Sequence, residues 1–364
     1  MKIIYINGKY LTQPITGVQR YAYEIVRELD KLIESTSIIG EYRFVILAPN
    51  KKMQITPDYR QIKVIQSKFG FTSFLWEQFW LPFITKKCTL INLAGSAPMF
   101  KFDQFCTFHD AAVFENSFSY RRIFVWWYKI LFKFQSKRCL KIFTVSKFSR
   151  ERLSFFLKIP KSRIEVISNS SNHMQLIEPD DLILKRLGVQ NKKYFLAIAS
   201  ANPSKNINKL INAFQSLDYD PDVFLVLAGG AGSVFSSNTE SASENARVIN
   251  AGRVSDSELK ALYLSALAFI FPSLYEGFGI PPLEAMACNC PVIASNLAVV
   301  REVCADAVLY IDPHSINSMI GSLNQALEDD ALLSKLAADG VSRSNEFTWR
   351  NSARVLFSHI SIQK

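Results

Sequence analysis

The sequence predicts an α/β protein made of two doubly wound domains, and three observations support that prediction. Its 364 residues exceed what one hydrophobic core usually supports. Short apolar runs alternate with amphipathic stretches, as in parallel sheets whose faces are covered by helices. The alternation starts again after the polar segment 169–181. Because open α/β sheets bind ligands at the carboxyl ends of their strands, two such domains facing a central cleft would place the active site there.

The first half of the chain contains one series of apolar runs, which we interpret as strands. These runs are Ile3–Ile6, Phe44–Ala48, Ile62–Ile65, Phe105–Phe108, Ile142–Val145 and Ile164–Ile167. An amphipathic helix is expected to open at Thr16–Gly17, after the first strand, and to run to about Ile33. This series predicts an N-terminal domain over residues 1–172.

A second series of apolar runs predicts a C-terminal domain over residues 173–346. Its expected strands are Tyr194–Ala199, Val223–Ala228, Val248–Ile249, Ala268–Phe271 and Val292–Ser295. Apolar residues at helical spacing from Thr348 to Ile360 then predict a terminal helix, in a segment 347–364 that would pack back on the N-terminal domain.

Charge divides unevenly between the two halves. Residues 1–170 carry 27 Lys and Arg against 12 Asp and Glu, whereas residues 171–364 carry 15 against 20. A basic half attracts nucleic acid, an anionic bilayer or a phosphorylated substrate through the same long-range field.

The sequence has no run of 18 apolar residues, and it opens on a short strand-like run, so we expect a cytoplasmic protein.

Two glutamates eight positions apart flank a predicted helix start in the second half. Glu276 follows the apolar run Ala268–Phe271, and Gly277-Phe278-Gly279 then leads into Ile280-Pro281-Pro282 and Glu284. Proline suits a first helical turn, and the free N–H groups and positive dipole of a helix start favour a diphosphate. Carboxylates accept hydrogen bonds from vicinal hydroxyls, so one would hold a sugar and the other a ribose. A solvated helix face is the alternative interpretation.

The segment from Glu276 to Glu284 resembles the E-G-F-G-x-P-x-x-E motif of the retaining glycosyltransferases of family 4, and the likeness covers most of the chain from Val18 onward. The resemblance implies the GT-B fold, in which two Rossmann-like domains face a cleft. It further implies that Glu276 holds the transferred sugar, Glu284 the ribose, and the backbone of residues 277–280 the sugar and diphosphate. Asn289 departs from the family pattern, which more often has glycine there.

A second motif of the C-terminal domain, Asn202-Pro-Ser-Lys205-Asn206, again lies between a buried strand and a helix. By the resemblance Lys205 binds the diphosphate, while Ser204 stands where the family often has arginine. A solvated loop lysine is the alternative. Either the departing diphosphate is then stabilised less, or Arg253, in the segment that corresponds to the base-binding loop of the family, supplies a further cation.

Three residues of the N-terminal domain complete the predicted site. Gly17 matches a glycine-rich loop that closes over the diphosphate, although a plain helix-start glycine is an alternative. His109 and Asp110 follow the strand Phe105–Phe108, at the edge where chemistry is expected. The resemblance assigns His109 to the transferred sugar; Asp110 would orient it or bind the acceptor.

Two stretches combine aromatic and basic residues, 68–87 and 120–138. Core-facing helices with basic outer faces would explain both. Lys and Arg beside Trp and Tyr also suit the headgroup region of an anionic bilayer, where a polyprenyl-pyrophosphate-linked acceptor would be found. Peripheral contact with the inner face of the plasma membrane is therefore a second hypothesis.

The expected activity is transfer of a hexose, of mannose or rhamnose type by analogy, from a nucleoside diphosphate to a glycan or lipid-linked acceptor in surface polysaccharide synthesis. No Asp-x-Asp clamp stands beside the donor motif, so we expect neither a metal nor a cofactor. Alternatives are a non-catalytic sugar-nucleotide-binding protein and a sugar-nucleotide epimerase. A nucleic-acid-binding protein would leave the donor motif and the acidic half unexplained.

Overall fold

A computed structural model describes residues 2–35, 41–117, 121–218, 222–230 and 247–361. The chain divides into two units, Met1–Asn169 with Thr348–Lys364, and Ser170–Phe347. The sequence placed the corresponding boundaries after residues 172 and 346. Tyr120, the first residue of the second aromatic stretch, lies outside the described residues.

The first unit contains a seven-stranded sheet in the order β3-β2-β1-β4-β5-β6-β7, and each described pairing in it is parallel. The strands are β1 Lys2–Asn7, β2 Tyr42–Ala48, β3 Lys63–Gln66, β4 Thr89–Asn92, β5 Gln104–Thr107, β6 Lys141–Thr144 and β7 Ile164–Val166. β4 was not predicted from the sequence, because its four residues begin and end with polar side chains. The strand order reverses between β1 and β4, which makes this pair the switch point of the sheet.

Helices cover the sheet of the first unit. The longer ones are α1 Gly17–Ser35, α2 Arg122–Ser136, α3 Lys147–Leu157 and the terminal helix Trp349–Ser361. Shorter helical turns are Gly8–Thr12, Ala112–Glu115 and Lys161–Arg163, and a continuous helical segment runs through Ser73–Leu75, Trp76–Trp80 and Leu81–Ile84.

The terminal helix packs against α1 in the first unit. Its Trp349 is fully buried with its ring 6.1 Å from that of Tyr21. Ser352 Oγ donates a hydrogen bond to the carbonyl of Ser168. A buried tryptophan contributes a large apolar area, so this packing attaches the last helix firmly to the first unit.

The second unit contains a six-stranded sheet in the order β10-β9-β8-β11-β12-β13, again with every described pairing parallel. The strands are β8 Lys193–Ile198, β9 Val223–Ala228, β10 Val248–Gly252, β11 Ala268–Phe271, β12 Val292–Ser295 and β13 Leu309–Ile311. β13 was not predicted. The order reverses between β8 and β11, so the carboxyl ends of these two strands border the switch point.

The helices of the second unit follow its strands. They are α4 Ile207–Gln215, α5 Asp256–Ser265, α6 Ile280–Ala287, α7 Ala298–Cys304, α8 Ile316–Glu328 and α9 Asp330–Ser344, with shorter turns at Asn172–Leu176, Leu182–Arg186 and Pro203–Lys205. A core of strand residues such as Phe195 and Ile270 packs on Phe214 and Leu323 from α4 and α8. The predicted doubly wound α/β class is confirmed in both units. Within the described ranges, no helix combines the length and apolar character that crossing a bilayer requires.

Candidate functional site

A glycine in the left-handed region turns the chain into helix α6, as the sequence predicted. Gly279 has φ 105°, a conformation that other residues rarely adopt, and it caps a helix whose first residue is Ile280. Pro281 stands in the first turn, where its missing N–H group breaks no helical hydrogen bond. Glu276 therefore precedes the helix, and Glu284 lies just over one turn inside it.

Lys205 and Glu276 form an ion pair at the switch point of the second sheet. Lys205 Nζ lies 2.7 Å from Glu276 Oε1, and the two side chains are only 24% and 16% exposed. The ammonium group is also 5.4 Å from the centre of the Phe271 ring. The sequence assigned these residues to separate parts of a ligand. The structure brings the two predicted functional groups into direct contact.

The loops after β8 and β11 are tied together, and this fixes the ion pair. Asn206 donates from Nδ2 to the carbonyl of Pro272 at 3.2 Å, and Leu274 N donates to the carbonyl of Ser204 at 2.7 Å. Ser204 itself is buried and donates to Asn202 Oδ1 at 2.9 Å. The serine that replaces the usual arginine thus shapes the loop.

Glu284 has a partner that the sequence analysis missed. Its Oε1 lies 3.1 Å from Nε2 of His173, whose residue is 2% exposed. His173 belongs to the helical turn Asn172–Leu176, 111 positions earlier in the chain. Burial, with the Glu284 carboxylate nearby, raises the pKa of the Tyr263 hydroxyl well above its ordinary value. Nothing in the sequence around Glu284 indicates that it contacts His173, because the two residues are so far apart in the chain.

The rest of the predicted donor site is placed as follows. Phe278 is buried, with its ring 5.7 Å from that of Phe347, so only its backbone is suited to meeting a ligand. Gly277 is half-buried. Arg253 is exposed after β10, and β9 separates that strand from β8. Asn289 has φ 55°, which explains why glycine is common there and why asparagine, which tolerates this region, replaces it.

His109 follows β5 and is held by contacts within the first unit. Its Nε2 lies 2.9 Å from the carbonyl of Leu93, and its ring meets that of Tyr21 edge-on at 4.9 Å. Burial lowers the pKa of His109 to about 4, so the ring is neutral near pH 7. Since a carbonyl only accepts, Nε2 carries the proton and Nδ1 is left as an acceptor.

Asp110 and Gly17 occupy the positions that the sequence gave them, each with a local structural role. Asp110 Oδ1 accepts from the backbone N–H of Ala112 at 2.8 Å, in a turn that leads into the short helix Ala112–Glu115. Gly17 is exposed and is the first residue of α1. The predicted contacts of both with substrate stay predictions.

A buried polar cluster lies at the switch point of the first sheet and was also missed. Lys9 Nζ is 2.9 Å from Glu77 Oε2, and Glu77 Oε1 accepts from Asn7 and Ser96. Asn7 and Asn92 end β1 and β4, and their amide groups are 3.0 Å apart. The sequence feature that could have identified this cluster is the pair of asparagines, because each of them ends a buried strand. In the described part of the chain no group of His, Cys, Asp or Glu is arranged to hold a metal ion.

Two family models match almost adjoining parts of the chain. Residues 15–172 match the family described as Glycosyltransferase Family 4, and residues 180–342 match Glycosyl transferases group 1. The first segment falls in the first unit except for its last three residues, 170–172, and the second falls in the second unit.

Curated relatives and solved structures are similar to this chain. O-antigen chain mannosyltransferase B of Escherichia coli is 33% identical over 218 residues, which span 58% of this chain and 57% of the relative. O-antigen chain mannosyltransferase RfbU of Salmonella typhimurium is 30% identical over 252 residues, 68% of this chain and 65% of the relative. The structure of Anabaena HepE in complex with UDP and glucose aligns over 99% of both chains with a TM-score of 0.74 and 16% identity.

Proposed function

Because the chain belongs to the glycosyltransferases, with a family 4 segment followed by a group 1 segment in the predicted GT-B fold, we propose that it transfers a hexosyl group from a nucleoside diphosphate sugar to an acceptor hydroxyl. One observation carries the proposal. Lys205 and Glu276 meet at the switch point of the second sheet, beside the glycine-capped start of α6.

Each group at this switch point has a proposed part of the donor. The Lys205 ammonium and the start of α6 would stabilise the negative charge that develops on the departing diphosphate. Glu276 would accept hydrogen bonds from hydroxyls of the sugar, and Glu284 from those of the ribose. When the diphosphate binds, the Lys205 ammonium would either leave Glu276 or donate to both groups at once, since an ammonium has three donors.

The named relatives support mannose as the transferred sugar. Both are O-antigen mannosyltransferases, so we propose a glycan or a lipid-linked oligosaccharide of surface polysaccharide synthesis as acceptor. HepE was solved with UDP and glucose, which supports a nucleotide-sugar donor. We further propose that transfer retains the anomeric configuration, with the departing phosphate taking the acceptor proton, and that Lys205 supplies the charge that a metal provides elsewhere.

The proposal predicts that a true donor stabilises the protein and is turned over. In a thermal-shift panel of GDP-, UDP- and dTDP-sugars, we expect one nucleotide series to raise the melting temperature, because a ligand that binds only the folded state stabilises it. With that donor, transfer to a mannose-containing acceptor should continue in EDTA, and the product should keep the donor's anomeric configuration.

Other outcomes of this panel contradict the proposal in distinct ways. Stabilisation without turnover on any acceptor would indicate a non-catalytic binding protein. Isomerised donor without transfer would indicate an epimerase. Activity that disappears in EDTA and returns with a divalent cation would refute metal independence alone.

We also propose that the first unit meets an anionic membrane through an apolar surface, defined as Phe79, Phe83, Ile123 and Trp126. These side chains are 66%, 75%, 77% and 64% exposed. The two helical segments that carry them are joined where the rings of Phe74 and Trp127 lie 5.2 Å apart. Within 121–138 the sequence has six Lys and Arg and no acidic residue, a charge that complements anionic headgroups.

Vesicle flotation tests this surface. The protein should float with vesicles of phosphatidylcholine and phosphatidylglycerol but remain unbound with phosphatidylcholine alone, since binding needs both apolar insertion and charge. The double variant Phe83→Ser and Trp126→Ser should lose most of the bound fraction. Phe155→Ser removes a comparably exposed aromatic from α3 and serves as the matched control. Wild-type protein that stays out of the anionic vesicles at low salt would refute the proposal.

A further inference from the structure

The contact between His173 and Glu284 is a buried histidine–carboxylate pair within the second unit. The Glu284 side chain is 12% exposed and the His173 side chain 3%, with Nε2 and Oε1 3.1 Å apart. The resemblance to family 4 gave a role to Glu284 and none to His173. Burying a carboxylate costs free energy unless its oxygens accept hydrogen bonds. The hydrogen bond with His173 therefore stabilises the buried carboxylate of Glu284.

A carboxylate that receives two vicinal hydroxyls must be held in one orientation. Glutamate has three rotatable side-chain bonds, and each free rotation that binding must stop reduces affinity. The hydrogen bond from His173 to Oε1 fixes the plane of the carboxylate. The Tyr263 hydroxyl also hydrogen-bonds to Glu284, and because a carboxylate has about four acceptor sites, acceptors remain for two ribose hydroxyls. Because an ionised carboxylate only accepts, His173 donates from Nε2.

We propose that His173 is a positioning residue that orients Glu284 for the two ribose hydroxyls of the donor. The inference rests on the proposed function, since it assumes a nucleotide-sugar donor. His173 does not touch the substrate in this scheme; it acts through Glu284. A consequence is a preference for ribonucleotide donors, because a 2′-deoxyribose offers the carboxylate one hydroxyl fewer.

The position of His173 explains how the pair is kept in place. The residue lies in the short helical turn Asn172–Leu176, which is attached near the end of the second unit by Ser170 Oγ donating to the carbonyl of Phe347 at 2.7 Å. Met174 beside it is 2% exposed. The turn therefore presents His173 to α6 from a packed element, as a residue that positions another group requires.

The test compares a nucleotide that has both ribose hydroxyls with one that lacks them. Calorimetry would measure GDP and 2′,3′-dideoxy-GDP, or the uridine pair if the panel selects UDP. We expect His173→Ala to weaken the ribonucleotide about tenfold, the usual size for a hydrogen bond to a charged group, and the dideoxynucleotide less than about twofold. His173→Gln, whose amide nitrogen lies near the position of Nε2, should restore most of the loss, whereas His173→Asn is too short and should not.

A control separates this effect from the loss of any histidine–carboxylate pair. His359 Nε2 lies 3.2 Å from Glu165 Oε2 in the first unit, so His359→Ala removes a similar contact and should leave both affinities unchanged. If the Ala variant does not fold, the comparison of Gln with Asn still decides the question, because both are polar and differ in reach.

Each remaining outcome counts against the inference in a different way. Equal losses for the ribonucleotide and the dideoxynucleotide would make His173 a residue of the scaffold, and unchanged ribonucleotide affinity would give it no role. Either result leaves the proposed function standing, since wild-type protein would still bind nucleotide. Wild-type protein that binds none of these nucleotides would overturn the proposed function together with the inference.

Discussion

Replacing Lys205 with alanine is expected to abolish measurable binding of the donor nucleoside diphosphate in calorimetry, a loss of at least about a hundredfold. Two hydrogen bonds from the ammonium to phosphate oxygens, each worth about 1.5–3 kcal/mol, account for that size. Ser204 is buried in the loop and brings no charge, so Lys205 is the cation that this motif offers. Turnover at saturating donor, if it is reached, should also fall by about 10²–10³ because the leaving group loses its stabilisation.

Two further variants make the Lys205 result interpretable. Lys193 lies at the amino end of β8, the opposite end of the strand that leads to Lys205, so Lys193→Ala removes the same charge and should leave affinity unchanged. Lys205→Ala alone removes the ion-pair partner of the Glu276 carboxylate, which is 16% exposed. Adding Glu276→Gln should therefore recover thermal stability without recovering binding. Wild-type affinity in Lys205→Ala would refute the assignment.

Replacing His109 with alanine is expected to lower turnover by about 10²–10³ while the affinity for donor nucleotide changes less than about threefold. The groups proposed to bind nucleotide, Lys205 and Glu284, belong to the second unit, whereas His109 belongs to the first. Its proposed contact is with the transferred sugar, through the Nδ1 acceptor that the hydrogen bond from Nε2 to Leu93 leaves available.

Glutamine at position 109 distinguishes chemistry from folding. His109→Gln keeps a donor near Nε2 for the carbonyl of Leu93 and lacks the Nδ1 acceptor, so it should fold normally and still lose turnover. Steady-state kinetics and calorimetry on both variants provide the measurement. Parallel losses of turnover and affinity, or full activity in the glutamine variant, would show that His109 supports the fold and has no contact with the reacting sugar.

Much of the fold could be read from local patterns. Six of the seven strands of the first sheet overlap predicted apolar runs. Three of them, β3, β5 and β6, are displaced by one residue at each end, and β4 is the one that was missed. β4 has only two apolar residues between its polar ends, a run too short to be distinguished from a loop, and β13 was missed as well. The start of helix α6 was predicted because glycine permits the left-handed turn before it and proline fits the first helical turn.

The candidate site was predictable in its parts and only partly in its arrangement. Glu276, Glu284 and Lys205 were identified by motif, and Asn289 was noted as a departure without an explanation. The positive φ of Asn289 supplied that explanation once the backbone was known. His173 and the cluster around Glu77 were missed, because their partners stand 111 and about 70 positions away in the chain.

The sequence by itself determined the parallel α/β character of both halves, the start of α6 after Gly279 and the two glutamates on either side of that start. These features depend on residues that are neighbours in the chain. The tertiary structure alone decided that Lys205 pairs with Glu276, 71 positions later, and that His173 meets Glu284. For the Lys205–Glu276 pair the physical reason is strand order: β8 lies beside β11 in the sheet, so the loops that follow these two strands meet at one edge.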